Sequence, residues 1–137
     1  MHIYDDLISL SPVPTRIVEK QIMATSDILS GADILVQFAS MVGIEGAYRR
    51  IPVITLGFET LLRRFEQTTE NRELETVESG ASQLVIADVK TLAETIRNLL
   101  TPEGFASMFA KQQTAYPKPD KRGATVLAMV DAIARML

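Results

Sequence analysis

The sequence has no cysteine, no tryptophan and a single histidine, His2, among its 137 residues. The absence of cysteine excludes disulfide bonds and metal sites built on thiolates. The lone histidine stands at the start of the chain, so a serine–histidine–aspartate triad is also excluded in practice. A metal site would depend on carboxylates alone, and none of the carboxylates has the spacing for one.

Basic segments and long apolar runs are missing as well. The net charge is −3, and the arginines form only short pairs such as Arg49-Arg50 and Arg63-Arg64, so we expect no surface that follows nucleic-acid phosphates. The longest apolar runs are far shorter than a transmembrane segment. The first residues, MHIYDDLISL, carry two acids and no basic region, so we expect no signal peptide and a cytoplasmic location.

The composition that remains is that of an ordinary globular protein, with 47% hydrophobic and 23% charged residues. The length predicts one domain over residues 1–137, with a core that needs no crosslinks. The chain contains neither a GxGxxG nor a Walker glycine loop, and no GxSxG elbow. These absences leave it without self-contained catalytic machinery.

Short apolar runs alternate with segments of helical periodicity along the chain. The apolar runs predict strands at residues 33–38, 52–58 and 83–87. The predicted helices occupy residues 16–30, 41–50, two short stretches within 59–79, about 89–100, 102 onward and 124 onward. Strands separated by helices predict an α/β fold, a Rossmann-like open parallel sheet flanked by helices. Ligands of such sheets bind beyond the carboxyl ends of the strands.

Two helices have an apolar face that can be predicted from spacing. The helix that Asp88 caps carries Leu92, Ile96, Leu99 and Leu100. The last helix carries Val126, Val130, Ile133 and Leu137 on one stripe.

The stretch FASMVGIEGAYRRIPVI, residues 38–54, joins the first two predicted strands. Ser40 is either the N-cap of the following helix or a direct partner of a phosphate oxygen at the helix N-terminus. Glu45 is either an exposed helix carboxylate or the acceptor for the two hydroxyls of a ribose. Gly43 and Gly46 both weaken a helix, which favours close approach by a ligand or a neighbouring backbone.

The stretch FEQTTENRE, residues 65–73, follows the second predicted strand. Gln67 and Asn71 offer uncharged hydrogen-bonding groups that suit sugar hydroxyls. A solvated connection explains the same composition equally well.

Four pieces of the chain, from Ala32 to about Leu137, resemble the C-terminal, nucleotide-sugar-binding half of GT-B fold glycosyltransferases. The pieces are ADILVQFASMVGIEGAYRRIPVI, TENRELETVESGASQLVIAD, VKTLAETIRNLLTPEGFASMFAKQQ and AYPKPDKRGATVLAMVDAIARML. UDP-N-acetylglucosamine 2-epimerases and the lipid-linked N-acetylglucosaminyltransferases share this layout. The resemblance therefore implies a partial GT-B C-terminal domain without separating transferase from epimerase.

The resemblance also implies roles for particular residues. Ser40 and Met41 fall on the loop near the diphosphate, Glu45 on the glutamate that contacts the ribose, and Gln67 and Asn71 near the sugar. The family commonly has glycine at the position of Met41, and also at the position of Arg50.

The function that the resemblance implies is donor binding for the transfer of a sugar from a nucleoside diphosphate sugar, such as a UDP-sugar, to an unknown acceptor. The nucleotide sugar is a substrate, and no cofactor or metal is expected. The N-terminal acceptor domain of a two-domain GT-B enzyme is missing, so we expect the 137 residues to be inactive alone. Two alternatives stay open: a non-catalytic α/β interaction module, in the form of a homodimer, and a fragment of an epimerase-like enzyme.

Overall fold

A computed structural model describes Pro14, Val18 and residues 23–38, 40–69, 74–86, 88–118 and 123–135. The chain divides into two compact units, Met1–Ala32 and Asp33–Leu137. This division concerns the packing within each unit, and the single domain expected over residues 1–137 stays a prediction. Within the described ranges, no helix combines the length and the apolar character that crossing a bilayer requires. The same ranges contain no cluster of three or more histidine, aspartate or glutamate side chains that could hold a metal ion.

The first unit contains helix α1, Thr25–Ser30. The prediction of a helix over residues 16–30 is therefore correct only at its end, since Val18 and Met23 are non-helical and Ala24 has the extended angles φ −69° and ψ 146°. The Thr-Ser-Asp run that follows Ala24 favours the first turn of a helix over its interior, because these side chains compete for backbone hydrogen bonds. Gly31 ends the helix, as predicted.

The second unit contains a three-stranded sheet and the remaining described helices. The strands are β1 (Leu35–Gln37), β2 (Val53–Gly57) and β3 (Gln83–Ile86). The helices are α2 (Met41–Tyr48), α3 (Glu59–Thr69), α4 (Glu75–Glu78), α5 (Val89–Leu99), α6 (Pro102–Ala115) and α7 (Ala124–Ala134). The strand order is β1-β2-β3 and both pairings are parallel. The predicted α/β class, with an open parallel sheet flanked by helices, is confirmed.

Helices cover both faces of this sheet. Successive residues of a strand point to opposite sides, so neighbouring residues of β2 pack against different helices. Ile54 and Val85 pack against α5 and α6 in one core cluster. Val53 packs with Ala47 of α2 in the other. Among the described strands, β2 is buried along most of its length, whereas the edge strand β1 exposes Val36.

The two glycines of α2 bring that helix against strand β1. A Cβ atom on Gly43 would lie 2.9 Å from the Gln37 Nε2 atom, and one on Gly46 would lie 2.7 Å from the Leu35 Cδ2 atom. A larger residue at either position would therefore require the facing strand side chain or the helix itself to shift. The glycines are explained by the packing of strand side chains, and they give no evidence for a ligand beside Glu45.

Side-chain caps mark the start of three of the described helices. Ser40, Asp88 and Thr101 are the N-caps of α2, α5 and α6, and each accepts a backbone hydrogen bond from its own first turn. Hydrogen bonds from the Thr91 side chain, and then from the backbone of Thr91 and Lys90, lower the pKa of Asp88. The predicted caps at positions 40 and 88 are confirmed.

The predicted apolar face of α5 is wrong at its last position. Leu99 is buried, but Leu100 is the exposed C-cap of the helix. Pro102 is the first residue of α6, and the residue before a proline avoids helical angles, so Thr101 cannot prolong α5. The chain turns at Leu100 instead, and its side chain leaves the core.

Helix α6 contributes a side chain that connects the amino ends of β2 and β3. The fully buried Gln112 donates from Nε2 to the Ile51 carbonyl at 2.8 Å and to the Ala81 carbonyl at 3.2 Å. Ile51 lies shortly before β2, and Ala81 shortly before β3. One side-chain amide therefore links the residues that precede two neighbouring strands, β2 and β3.

Arg50 supports the same end of the sheet from the loop after α2. Its φ is +66°, in the left-handed region that favours glycine. Its guanidinium donates to the Gln112 and Tyr116 carbonyls, both at 2.7 Å. These bonds satisfy carbonyls at the C-terminus of α6, where a positive charge also complements the helix dipole.

Candidate functional site

A pocket of about 180 Å³ opens at the carboxyl end of β1, between the start of α2 and the short helix α4. Its lining residues are Gln37, Ser40, Met41, Ile44, Leu74, Glu75 and Thr76. Small-molecule sites typically measure about 300–1,000 Å³. The volume thus suits a single ring or a comparably small group, and not a whole nucleotide sugar.

Ser40 and Met41 form one wall of the pocket. The Ser40 hydroxyl accepts a hydrogen bond from the Val42 amide at 3.3 Å, and the Ser40 amide donates to the Gln37 Oε1 atom at 2.8 Å. Met41 is the first residue of α2 and is 77% exposed. The capping role of Ser40 is confirmed, and both residues lie where a ligand would meet the N-terminus of the helix.

A chain of buried polar side chains lies beneath the pocket. Gln37 donates from Nε2 to the Thr55 hydroxyl at 2.9 Å, and the hydroxyls of Thr55 and Ser82 lie 2.9 Å apart. Ser82 donates to the Thr76 hydroxyl oxygen at 3.0 Å. All four side chains are buried, so each polar atom needs its partner to offset the lost contact with water. Gln37 and Thr76, the first and last side chains of this hydrogen-bonded network, both line the pocket.

The direction of this network follows from its donors. A hydroxyl has one hydrogen, and Ser82 gives its hydrogen to Thr76, so Thr55 must be the donor in its bond to Ser82. Among the described residues, the hydroxyl hydrogen of Thr76 has no acceptor. Thr76 is also one of the residues that line the pocket.

Glu75 supplies the only charge on the described lining of the pocket. Its Oε1 atom accepts a hydrogen bond from the Tyr116 hydroxyl at 3.0 Å. Burial, and then the hydrogen bond to Glu75, raise the pKa of Tyr116 above its ordinary value. A lining with one carboxylate and neutral polar groups suits sugar hydroxyls better than it suits a bare phosphate.

Glu45 lies outside the described lining of this pocket. Its Oε1 atom accepts from the Arg49 guanidinium, with both contacts at 3.1 Å, and 39% of its side chain is exposed. This is an i, i+4 ion pair on the surface of a helix, an arrangement that contributes about 0.3–0.5 kcal/mol. The predicted contact of Glu45 with a ribose stays a prediction.

The two remaining candidates are not brought to the pocket by the described structure. Gln67 is exposed on α3 and is absent from the lining. Asn71 lies outside the described residues. Of the five residues predicted from the sequence, the structure thus brings together Ser40 and Met41.

Sequence reasoning missed the polar floor of the pocket and its carboxylate. A signal for the floor exists, because Gln37 interrupts the apolar run DILVQF and Thr55 interrupts PVITLGF. A polar residue inside a strand that is otherwise apolar must find a partner once it is buried. Glu75 and Thr76 carry no such signal, because they stand in a stretch that is polar throughout.

Comparison with known proteins adds no relative of this chain. Neither a protein-family model nor a curated protein nor a solved structure matches the sequence or the fold.

Proposed function

We propose that this chain binds a nucleoside diphosphate sugar, as the donor-binding portion of a GT-B type glycosyltransferase. The observation that carries the proposal is the place of the pocket, at the carboxyl end of β1 and the N-terminus of α2. Open α/β sheets bind ligands at this end of their strands. The sequence pieces that resemble the nucleotide-sugar-binding half of these enzymes include both elements.

The start of α2 fits one part of the transfer reaction. In that reaction, an acceptor hydroxyl attacks the anomeric carbon of the sugar, and the bond from this carbon to the diphosphate oxygen breaks. Negative charge then grows on the departing diphosphate, and a helix N-terminus stabilises such charge. Under this proposal, Ser40, which is the N-cap of α2, contacts the diphosphate beside the pocket. The base that takes the acceptor proton would come from an acceptor domain, so this chain alone would bind the donor without turning it over.

A titration followed by nuclear magnetic resonance tests the proposal. Adding UDP-N-acetylglucosamine to the labelled protein should shift backbone amides at residues 37, 40–44 and 74–76. The Ser40→Asp variant is the informative comparison, because aspartate also caps a helix but places a charge where the diphosphate would lie. The folding stability of this variant should match that of the wild type, while the ligand-induced changes in amide chemical shift should largely disappear. If neither UDP-N-acetylglucosamine nor UDP-glucose shifts the backbone amides of the wild-type protein, the proposed function is rejected.

A second candidate function, a homodimeric interaction module, is favoured by helix α7. Five of its apolar side chains are 56–66% exposed: Val126, Leu127, Met129, Val130 and Ile133. The predicted stripe on this helix is therefore open along its described part, while Leu137 lies outside the described residues. A helix with apolar residues all round is normally buried. Asp131 is the one charged residue within α7.

The oligomeric state tests this candidate. Light scattering should then give a dimer mass at micromolar concentration, and Val130→Lys should reduce it to that of a monomer. A wild-type protein that stays monomeric up to about 100 μM, a concentration at which even a weak dimer is substantially populated, would reject the module.

A further inference from the structure

We propose that Glu75 accepts hydrogen bonds from neighbouring hydroxyls of a sugar ring bound in the pocket, with Tyr116 positioning its carboxylate. This inference rests on the proposed function and names the part of the donor that enters the pocket. That part is a neutral, polyhydroxylated ring, either the ribose or the transferred sugar.

The charges of the pocket argue for a ring and against the diphosphate inside it. Glu75 is a carboxylate, and the described lining contains neither lysine nor arginine. A diphosphate inside the pocket would lie beside this carboxylate with no cation to offset the repulsion. Hydroxyls instead donate to a carboxylate, and such charge-assisted bonds are stronger than bonds between neutral groups.

The remaining lining residues match a sugar ring. Gln37 and Thr76 bring amide and hydroxyl groups that the buried network holds in place. Met41, Ile44 and Leu74 bring apolar surface for the C–H groups of the ring. With a volume of about 180 Å³, the pocket has room for one ring.

Tyr116 explains how an exposed glutamate keeps one orientation. Its hydroxyl donates to the Glu75 Oε1 atom at 3.0 Å, and its own carbonyl accepts from the Arg50 guanidinium at 2.7 Å. The phenol is thus anchored at the end of α6 while it holds the carboxylate. A carboxylate has about four acceptor positions, so this single bond leaves Glu75 able to accept two ligand hydroxyls.

Three variants test the inference by calorimetric titration with UDP-N-acetylglucosamine. Glu75→Gln should weaken binding by about tenfold or more, since a hydrogen bond to a charged group is lost. Glu78→Gln is the matched control, because Glu78 is exposed on the same helix and does not line the pocket; its affinity should equal that of the wild type. Tyr116→Phe should weaken binding several-fold, but should have no further effect in the Glu75→Gln background. An equal effect in both backgrounds would reject the positioning role.

A comparison of ligands identifies which of the two rings occupies the pocket. A ribose in the pocket predicts that the wild type prefers UDP to 2′-deoxy-UDP, and that Glu75→Gln removes this preference. If the transferred sugar occupies the pocket, the wild type should prefer UDP-N-acetylglucosamine to UDP, and Glu75→Gln should remove this preference.

The outcomes also separate this inference from the function on which it rests. Wild-type binding of nucleotide sugars that Glu75→Gln leaves unchanged would overturn the role of Glu75 and leave the function standing. Binding of free ribose or free N-acetylglucosamine that depends on Glu75, without binding of any nucleotide sugar, would reject only the function. No binding of any of these ligands by the folded wild type would overturn both.

Discussion

The sheet has a buried glutamine near each of its ends, and the two have different partners. Gln112, at the amino ends of the strands, donates to two backbone carbonyls. Gln37, at the carboxyl end of β1, bonds to the Thr55 hydroxyl and to the Ser40 amide, and it lines the pocket. The bonds of Gln112 connect α6 to the residues that precede β2 and β3, whereas the bonds of Gln37 shape a surface that a ligand can reach. We therefore expect substitutions at the amino end to affect stability, and those at the carboxyl end to affect binding as well.

The largest effect is expected for Gln112→Leu. Leucine fills most of the space but leaves the Ile51 and Ala81 carbonyls without this donor, so we expect a loss of about 2–4 kcal/mol in the free energy of unfolding. Denaturant unfolding measures the change. Gln113→Leu, at the exposed neighbouring position of the same helix, should change stability by less than about 0.5 kcal/mol. Equal effects of the two substitutions would show that the buried amide does not hold the amino end.

Two substitutions of Arg50, at the amino end of the sheet, separate the effect of backbone strain from that of the side-chain hydrogen bonds. Arg50→Ala should lose about 2–3 kcal/mol, because the guanidinium bonds to the Gln112 and Tyr116 carbonyls disappear while the positive φ is retained. Arg50→Gly should be about 1 kcal/mol more stable than Arg50→Ala, because glycine adopts a positive φ freely. Thermal and denaturant unfolding give both values. Alanine and glycine variants of equal stability would contradict the strain at this position.

Thr55→Val tests the polar network beneath the pocket with a change of nearly equal volume. Valine favours a strand, yet we expect a loss of about 1–2 kcal/mol, because Gln37 and Ser82 each lose a buried partner. Binding of UDP-N-acetylglucosamine should also weaken several-fold, since the floor of the pocket is no longer held. Thr60→Val, at an exposed position of α3, is the control and should change neither quantity. A Thr55→Val protein with unchanged stability and binding would remove the network from the site.

The smallest effect concerns Tyr116 at high pH. Its pKa is raised in the folded state, so between the unfolded value near 10.0 and the folded value the unfolded chain releases the proton first. This contribution to stability is complete below pH 10 and is lost as the pH rises through the folded pKa. Ultraviolet titration should show a phenol that ionises late, and Tyr116→Phe should remove this late component. A titration that Tyr116→Phe leaves without any change at high pH would contradict the raised pKa of Tyr116.

The sequence predicts the local features of the fold well, because they depend on short-range rules. The alternation of apolar runs and helical spacing is enough for the α/β class, and the caps at Ser40 and Asp88 follow from residue type alone. Leu100 fits the helical spacing of the apolar face but lies outside the core, because Pro102 ends the helix and the chain turns at Leu100.

The site was less predictable, because its residues meet only after folding. Thr76 and Ser82 become neighbours of Thr55 through the pairing of β2 with β3 and the packing of α4. Glu45 has the expected residue type at the expected place in the chain, yet its carboxylate is paired with Arg49. Glu75 was overlooked for the opposite reason, since nothing in its local sequence separates it from the other acids around it.

Hydrogen–deuterium exchange with and without UDP-N-acetylglucosamine is the most direct test of the contrast between the two ends of the sheet. We predict that saturating ligand slows exchange at residues 40–45 and 74–77, around the pocket, and leaves exchange near Arg50, Ala81 and Gln112 unchanged. Protection confined to the amino end, or no protection in either region, would contradict a nucleotide-sugar site at the carboxyl end.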